Sequence, residues 1–131
     1  MIPSDGRVLA IDSKAPVAAN NLAWITAEEG GNLDVAMQLA QTAKSQLPDR
    51  AEVDDTLGWV YYKKGLASLA ITSFQMSVER DTKNPLYHYH LGLAYAKNGD
   101  KDKARDSLKQ ALSLSPTFDG ASDAQKALAT L

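Results

Sequence analysis

Apolar and polar positions follow each other along this chain with the period of amphipathic helices. Residues 50–64 and residues 66–80 each carry a set of apolar side chains on one face of a helix with about 3.6 residues per turn. The first set is Val53, Leu57, Val60 and Tyr61, and the second set is Leu69, Ala70, Phe74 and Val78. Gly65 separates the two segments, at a place where a helix can end in a left-handed residue. The pattern predicts two helices joined by a turn so short that they must run antiparallel.

The same two-helix pattern recurs at a fixed interval. Leu57-Gly58 is repeated 34 residues later as Leu91-Gly92. The same interval separates Tyr61 from Tyr95, Gly65 from Gly99, Ala70 from Ala104, and Val78 from Leu112. An earlier copy, over residues 16–47, is offset by 35 residues because it has a double glycine, Gly30-Gly31, where later copies have one. Repetition at this period predicts an all-α stack of helix pairs.

Small residues recur where the two helices of a pair would cross. Gly58 and Gly92 hold this place in the first helices, and Ala36, Ala70 and Ala104 hold it in the second helices. A larger side chain would push apart two helix axes that normally lie about 8–10 Å from each other. The sequence therefore predicts close helix crossings at these positions.

These features resemble the tetratricopeptide repeat family over about residues 16–118, with its 34-residue period. The family's pattern is present as Leu57-Gly58, Tyr61, Ala70 and Phe74, and again as Leu91-Gly92, Tyr95, Ala104, Leu108, Ala111 and Pro116. The tryptophan usual early in the first helix is replaced by Asp54 and His88, while Trp24 and Trp59 lie one turn further on. The resemblance implies a right-handed solenoid of antiparallel helix hairpins, with three full or near-full repeats and a C-terminal capping helix.

The expected organisation is a single domain over residues 1–131. Its parts are the tail of a truncated upstream repeat (1–15), three repeats (16–49, 50–84 and 85–118) and a capping helix (119–131). Val8, Leu9 and Ile11 align with the close of a second helix whose first helix is missing. We therefore expect the C-terminal part of a larger bacterial repeat protein, with a homodimer through the open N-terminal edge as one form of assembly.

Charge and composition narrow the class of partner. The formal net charge is −2, which disfavours nucleic acid because phosphate binding requires a basic surface. No apolar run reaches the roughly 18 residues of a membrane-spanning helix, so we expect no membrane insertion by this chain. With 0 cysteines there is no disulfide and no thiolate metal site.

No arrangement of residues predicts catalysis, a cofactor or a metal. His88 and His90 would point about 200° apart on one helix, so a single metal ion could not easily take both. The pairs Asp54-Asp55 and Glu28-Glu29 are adjacent, and neighbouring carboxylates on a helix do not face each other as an acid and base must. We interpret the histidines as structural or surface residues and the acidic pairs as solvated. An enzyme is the least favoured function.

The resemblance implies that the first helices line a concave groove that binds a peptide or a partner protein. The side chains expected to face it are Asn20, Trp24, Asp55, Trp59, Tyr62, Lys63, Tyr89, Leu93 and Lys97. Aromatic side chains dominate many interfaces, which suits an apolar or helical peptide. The basic clamp of chaperone-binding members is not apparent, because Trp59 and Leu93 stand where that clamp has asparagine.

Two alternatives remain open from the sequence. Trp24 and Trp59 could pack against the next hairpin instead of lining the groove. The chain could also be a structural scaffold or a self-associating segment of a cell-envelope or polysaccharide-export assembly, since its phrases Asn-Asn-Leu-Ala-Trp and Leu-Gly-Trp-Val-Tyr-Tyr-Lys-Lys-Gly resemble bacterial repeat proteins of that kind.

Overall fold

The computed structural model describes residues 14–131, which form seven α-helices and no strand. The helices are α1 (Lys14–Glu28), α2 (Leu33–Gln46), α3 (Ala51–Lys63), α4 (Ala67–Arg80), α5 (Pro85–Lys97), α6 (Lys101–Leu114) and α7 (Ala121–Ala129). They pair in chain order as three hairpins, α1–α2, α3–α4 and α5–α6, and α7 packs on α6. The predicted all-α solenoid with a C-terminal helix is confirmed. Val8, Leu9 and Ile11, and with them the predicted dimer edge, lie outside the described residues.

Local sequence explains where the helices begin and end. The Asn32 side chain caps α2 by accepting hydrogen bonds from the backbone N–H groups of Asp34 and Val35, at 2.9 and 3.2 Å. Asn84 caps α5 in the same way, and a proline occupies the first turn of that helix. Gly65 closes α3 with a φ of +81°, a left-handed conformation that costs glycine little.

The hairpins stack so that their first helices form an inner row. α1 packs against α3, and α3 packs against α5, whereas the second helices of successive hairpins barely meet. Helices that approach each other lie on the inside of a curved stack. The concave face is therefore made by α1, α3 and α5, as the family resemblance implied.

The close helix crossings predicted from small residues are confirmed. Ala36, Ala70 and Ala104 are fully buried. A Cβ atom added at Gly58 would lie 2.6 Å from the ring of Phe74, which is itself fully buried in α4. The helices α3 and α4 are therefore pressed together too closely for any side chain at position 58.

Asp54 is buried, so the expectation of a solvated carboxylate is wrong at this position. Its side chain is only 1% exposed and lies 2.6 Å from Lys44 Nζ of α2 and 2.8 Å from Arg80 Nε of α4. Lys44 and Arg80 also donate hydrogen bonds to the carbonyl oxygen of Pro48, at 2.7 and 3.2 Å. A carboxylate can be buried here because two cations pair with it and replace its lost water. The cluster ties the second helices of two hairpins to α3 and to the loop between the hairpins.

We expect Gly58→Leu to reduce the free energy of unfolding by roughly 1–3 kcal/mol, the usual range for overpacking a core. The added side chain must displace the Phe74 ring, which is fully buried. Gln38→Leu, at an exposed position of α2, is the control for adding leucine to a helix. Urea denaturation of both variants measures the difference, and equal midpoints would show that Gly58 is not at a tight crossing.

We expect Asp54→Asn to lower stability by roughly 1–3 kcal/mol, because it leaves two cations facing a neutral amide. The loss is moderated because Lys44 and Arg80 are 25% and 31% exposed and can regain water. Asp49→Asn is the matched control, since Asp49 is 87% exposed at 3.6 Å from Arg80 and such surface pairs contribute little. Thermal unfolding that ranks Asp49→Asn as the more damaging change would contradict this role for Asp54.

Candidate functional site

The first helices carry all of the residues that the sequence assigned to a groove. Asn20 and Trp24 lie on α1; Asp55, Trp59, Tyr62 and Lys63 lie on α3; Tyr89, Leu93 and Lys97 lie on α5. The structure brings the aromatic residues of this set together and buries its one acidic residue, Asp55. Leu93 is partly buried against the core of the stack.

Three aromatic rings form a continuous stack on this inner row. The ring centroids of Trp24 and Trp59 are 5.3 Å apart with planes inclined by 28°, and those of Trp59 and Tyr62 are 5.2 Å apart at 19°. Trp59 is the central ring and is 8% exposed, whereas Trp24 and Tyr62 are half-buried. The open alternatives for the tryptophans are therefore both partly realised. Trp59 belongs to the core between two hairpins, and its neighbours present ring surface to solvent.

Glu28 orients the central tryptophan. The indole Nε1–H of Trp59 donates a hydrogen bond to Glu28 Oε2 at 2.6 Å, and Lys63 Nζ lies 4.0 Å from the same oxygen and 5.1 Å from the ring centroid. Sequence reasoning treated Glu28 only as a solvated acid. Its spacing of four residues from Trp24 was the available signal, since residues four apart share a helix face.

A buried Asp–His pair lies under the aromatic stack. His90 Nδ1 is 2.7 Å from Asp55 Oδ1, and the two side chains are 3% and 6% exposed. The His90 ring also lies 4.7 Å from the ring of Trp59 and 5.5 Å from that of Phe74. The expectation that the second carboxylate of the Asp54-Asp55 pair is solvated is thus wrong, because α5 covers Asp55. Its carboxylate faces a histidine of the next hairpin rather than the open groove.

Tyr62 and Lys97 form a second contact between neighbouring first helices. Lys97 Nζ lies 4.4 Å from the Tyr62 ring centroid and donates a hydrogen bond to the Tyr62 carbonyl oxygen at 3.3 Å. Burial raises the pKa of the Tyr62 hydroxyl. The ring therefore stays neutral near pH 7 and presents a flat, uncharged surface beside an ammonium group.

Two cavities open at this face. One of about 350 Å³ is lined by Asn20, Asn21, Trp24, Ile25 and Thr56. Asn20 is 7% exposed, and its Oδ1 has no hydrogen-bond partner within the part of the chain that the structure describes. A buried amide oxygen without a donor is costly, so a donor entering this cavity would be stabilised.

The other cavity, which we call the end pocket, has a volume of about 300 Å³ and lies between the inner row and the start of α7. Trp24, Glu28, Lys63, Tyr89, Asp119 and Asp123 are among its lining residues. Burial raises the pKa of the Tyr89 hydroxyl, and the carboxylates of Asp123 and Glu28 raise it further.

No group of three or more His, Cys, Asp or Glu side chains among residues 14–131 is placed to hold a metal ion. No helix within this range has the length and apolar character needed to cross a membrane.

Comparison with known proteins identifies the repeat. Residues 85–118, which form the hairpin α5–α6 and the turn after it, match the tetratricopeptide repeat family. The described chain is a stack of helix hairpins in which residues 85–118 match a tetratricopeptide repeat. The resemblance noted from the Leu-Gly, tyrosine and alanine pattern is thereby confirmed.

One curated relative and two solved structures show the range of proteins with similar repeats. Superkiller complex protein 3 of Homo sapiens is 35% identical over 78 residues, which are 57% of this chain but only 5% of that protein. The Yersinia enterocolitica type III secretion translocator chaperone SycD has a TM-score of 0.81 at 18% identity, with 100% of both chains covered. PcrH, solved in complex with the chaperone binding region of PopD, has a TM-score of 0.77 at 20% identity, covering 89% of this chain and 90% of that one. The TM-scores establish a shared fold with these two solved structures, and at identities this low they establish the fold alone.

We expect Trp59→Ala to lower the free energy of unfolding by roughly 3–5 kcal/mol, the range for truncating a buried aromatic side chain. The change removes a ring that is held between two others and leaves Glu28 without its indole donor. Trp24→Ala should cost less, because that ring is half-buried and its indole has no such bond. Urea unfolding followed by circular dichroism measures both, and the reverse order would contradict a central place for Trp59.

Proposed function

We propose that this chain is a non-catalytic protein–protein interaction module that binds a peptide or a segment of a partner protein in the groove of α1, α3 and α5. We further propose that residues 16–49, 50–84 and 85–118 act together as three repeats of one domain, closed by residues 119–131. The groove residues predicted from the sequence have two different roles in this proposal. Trp24, Tyr62 and Tyr89 supply contact surface, while Trp59 and Asp55 hold that surface in place.

The observation that carries the proposal is the half-buried aromatic surface on the inner row. Trp24 and Tyr62 each keep ring surface open to solvent while Trp59, between them, is fixed by its bond to Glu28. Rings that are already held in place lose little conformational freedom on binding, and aromatic anchors of this kind supply much of the energy of protein interfaces. A partner that covers them gains contact area at low entropic cost.

Polar groups beside the aromatic surface suit a peptide backbone. The Oδ1 of Asn20, which has no partner among residues 14–131, can accept a hydrogen bond from a peptide N–H, and its amide group can donate to a peptide carbonyl. Asn20 and Trp24 line the same cavity, so a peptide could bury a side chain against the ring while its backbone satisfies the amide.

The similar structure of PcrH supports a peptide as the occupant, since that protein was solved bound to the chaperone binding region of PopD.

The Asp55–His90 pair does not favour an enzyme. It has the acid and base of a Ser–His–Asp arrangement, in which the second ring nitrogen of histidine contacts a nucleophile. Both side chains are buried here, and over residues 14–131 no serine, threonine or lysine side chain is hydrogen-bonded to His90. Four aromatic rings lie against the imidazole instead, those of Trp24, Trp59, Phe74 and Tyr89. These contacts favour a structural role for the pair.

A scaffold that associates through its first hairpin is the second candidate. Val17, Leu22 and Ile25 of α1 are 38%, 51% and 47% exposed, which is a large apolar area for one helix. Exposed apolar patches often mark contact sites between proteins.

Sedimentation of the wild-type chain and of Ile25→Ser tests this candidate, because a dimer through α1 should weaken in the variant.

The peptide proposal is tested with peptides selected from a random displayed library against the wild-type chain. We expect Trp24→Ala and Tyr62→Ala each to weaken binding of such a peptide by at least about tenfold, at roughly 1.4 kcal/mol per factor of ten. Half-buried rings are preferred for this test because their loss disturbs the fold less than loss of Trp59. Calorimetric titration measures the affinities.

Lys109→Ala is the control, since Lys109 is exposed on α6 away from the inner row. If selected peptides bind the Trp24→Ala and Tyr62→Ala variants as tightly as the wild type, binding occurs on another surface and the groove proposal fails.

A further inference from the structure

The end pocket lies where the residues at the start of α7 meet Tyr89 of α5. Gly120, just before α7, lies beside the Tyr89 ring, and a Cβ atom there would be in ordinary van der Waals contact with it at 3.4 Å. The pocket's volume of about 300 Å³ is at the lower end of the range for ligand sites. It is the size of a site for one long side chain rather than for an extended ligand.

The rim of the end pocket carries excess negative charge. Three carboxylates, those of Glu28, Asp119 and Asp123, line it together with one ammonium group, that of Lys63. Glu28 and Lys63 lie 4.0 Å apart and largely compensate each other. Asp119 and Asp123 are exposed and form no ion pair within the described part of the chain. Two carboxylates therefore face the pocket without a matching cation.

The start of α7 offsets only part of this charge. A helix N-terminus carries roughly half a positive charge, and its effect fades within the first turn. Acidic residues at this place stabilise the helix, which explains why Asp119 and Asp123 are tolerated there. It does not neutralise two full negative charges, so the pocket stays attractive to a cation.

Aromatic rings supply the remaining walls. Trp24, Trp59 and Tyr89 all line the pocket, and most of the ring surface open to a ligand belongs to the half-buried Trp24 and Tyr89, because Trp59 is only 8% exposed. A guanidinium group stacks on such rings and donates paired hydrogen bonds to carboxylates. Cations over aromatic faces gain further attraction when they leave water.

We propose that the end pocket binds an arginine side chain of the groove's peptide, with the guanidinium between the aromatic walls and the carboxylates of Asp119 and Asp123. This inference rests on the proposed function and gives it a chemical specificity. The groove would select a segment whose arginine enters at the α7 end and whose apolar residues follow along the Trp24–Trp59–Tyr62 stack.

The test uses N-acetyl-arginine amide as the probe and the full chain labelled with ¹⁵N. The chain has 2 tryptophans, so its two indole N–H signals report directly on the pocket and are assigned with Trp24→Ala. We expect saturable shifts of an indole signal and of the Gly120 and Asp123 amides, with a dissociation constant in the millimolar range for so small a ligand. N-acetyl-citrulline amide, which is close in shape and neutral, should bind at least about fivefold more weakly, as loss of an ion pair implies.

The matched variants are Asp119→Asn with Asp123→Asn in one chain, and Asp102→Asn in another. The double variant should lose at least about fivefold in affinity, and more at low salt than at high salt because exposed charges are screened. Asp102 is 98% exposed on α6 and does not line the pocket, so its change should leave the affinity unaltered. Thermal unfolding of each variant checks that α7 remains folded.

Three results would overturn the arginine site: no saturable shift in the millimolar range, equal binding of the citrulline probe, or tighter binding of N-acetyl-glutamate amide, which would mark an anion site at the helix start. The proposed function can stand in each case, because selected peptides that depend on Trp24 and Tyr62 but contain no arginine would show a groove that binds without this pocket.

Discussion

A single helix pair of this chain cannot bury its own apolar face, so each hairpin depends on contact with the next one. Within the second and third hairpins the two helices lie close together because Gly58 and Gly92 leave no side chain at the crossing, where Phe74 and Leu108 occupy the space instead. Successive hairpins then pack through their first helices and through the contact of each second helix with the next first helix. The inner row of first helices, and every residue discussed as a candidate site, follows from that stacking.

Stacking also brings together polar residues that are far apart in the chain. Asp55 meets His90 across the second junction, and Glu28 meets Trp59 across the first, in each case between neighbouring first helices. Asp54 is paired with cations from two different second helices. Because buried polar groups are costly without partners, each of these pairs favours one register of the stack over a slipped one.

The same contacts divide the aromatic residues into supporting and available surface. Trp59 is held by the neighbouring rings of Trp24 and Tyr62 and by the hydrogen bond of its indole, so it acts mainly as a support. Trp24, Tyr62 and Tyr89 keep part of their rings open, and carboxylates gather where Tyr89 meets α7. The inner row thus carries a cluster of aromatic rings, and carboxylates lie beside them where α5 meets the start of α7.

The sequence by itself determined the repeat, the helix pairs and the close crossings. These depend on local patterns: a period near 34 residues, glycine at turns such as Gly65, and small residues where helices meet. The sequence also placed Trp24, Trp59 and Tyr62 on the inner row, since a repeat assigns each position to a face. The sequence could not decide how deeply each of these side chains is buried. Whether Asp55 or Trp59 is exposed depends on how closely the next hairpin covers it, and only the tertiary structure sets that distance. The end pocket could not be predicted from the sequence either. Its walls come from residues as far apart in the chain as Glu28 and Asp123, which no local pattern connects.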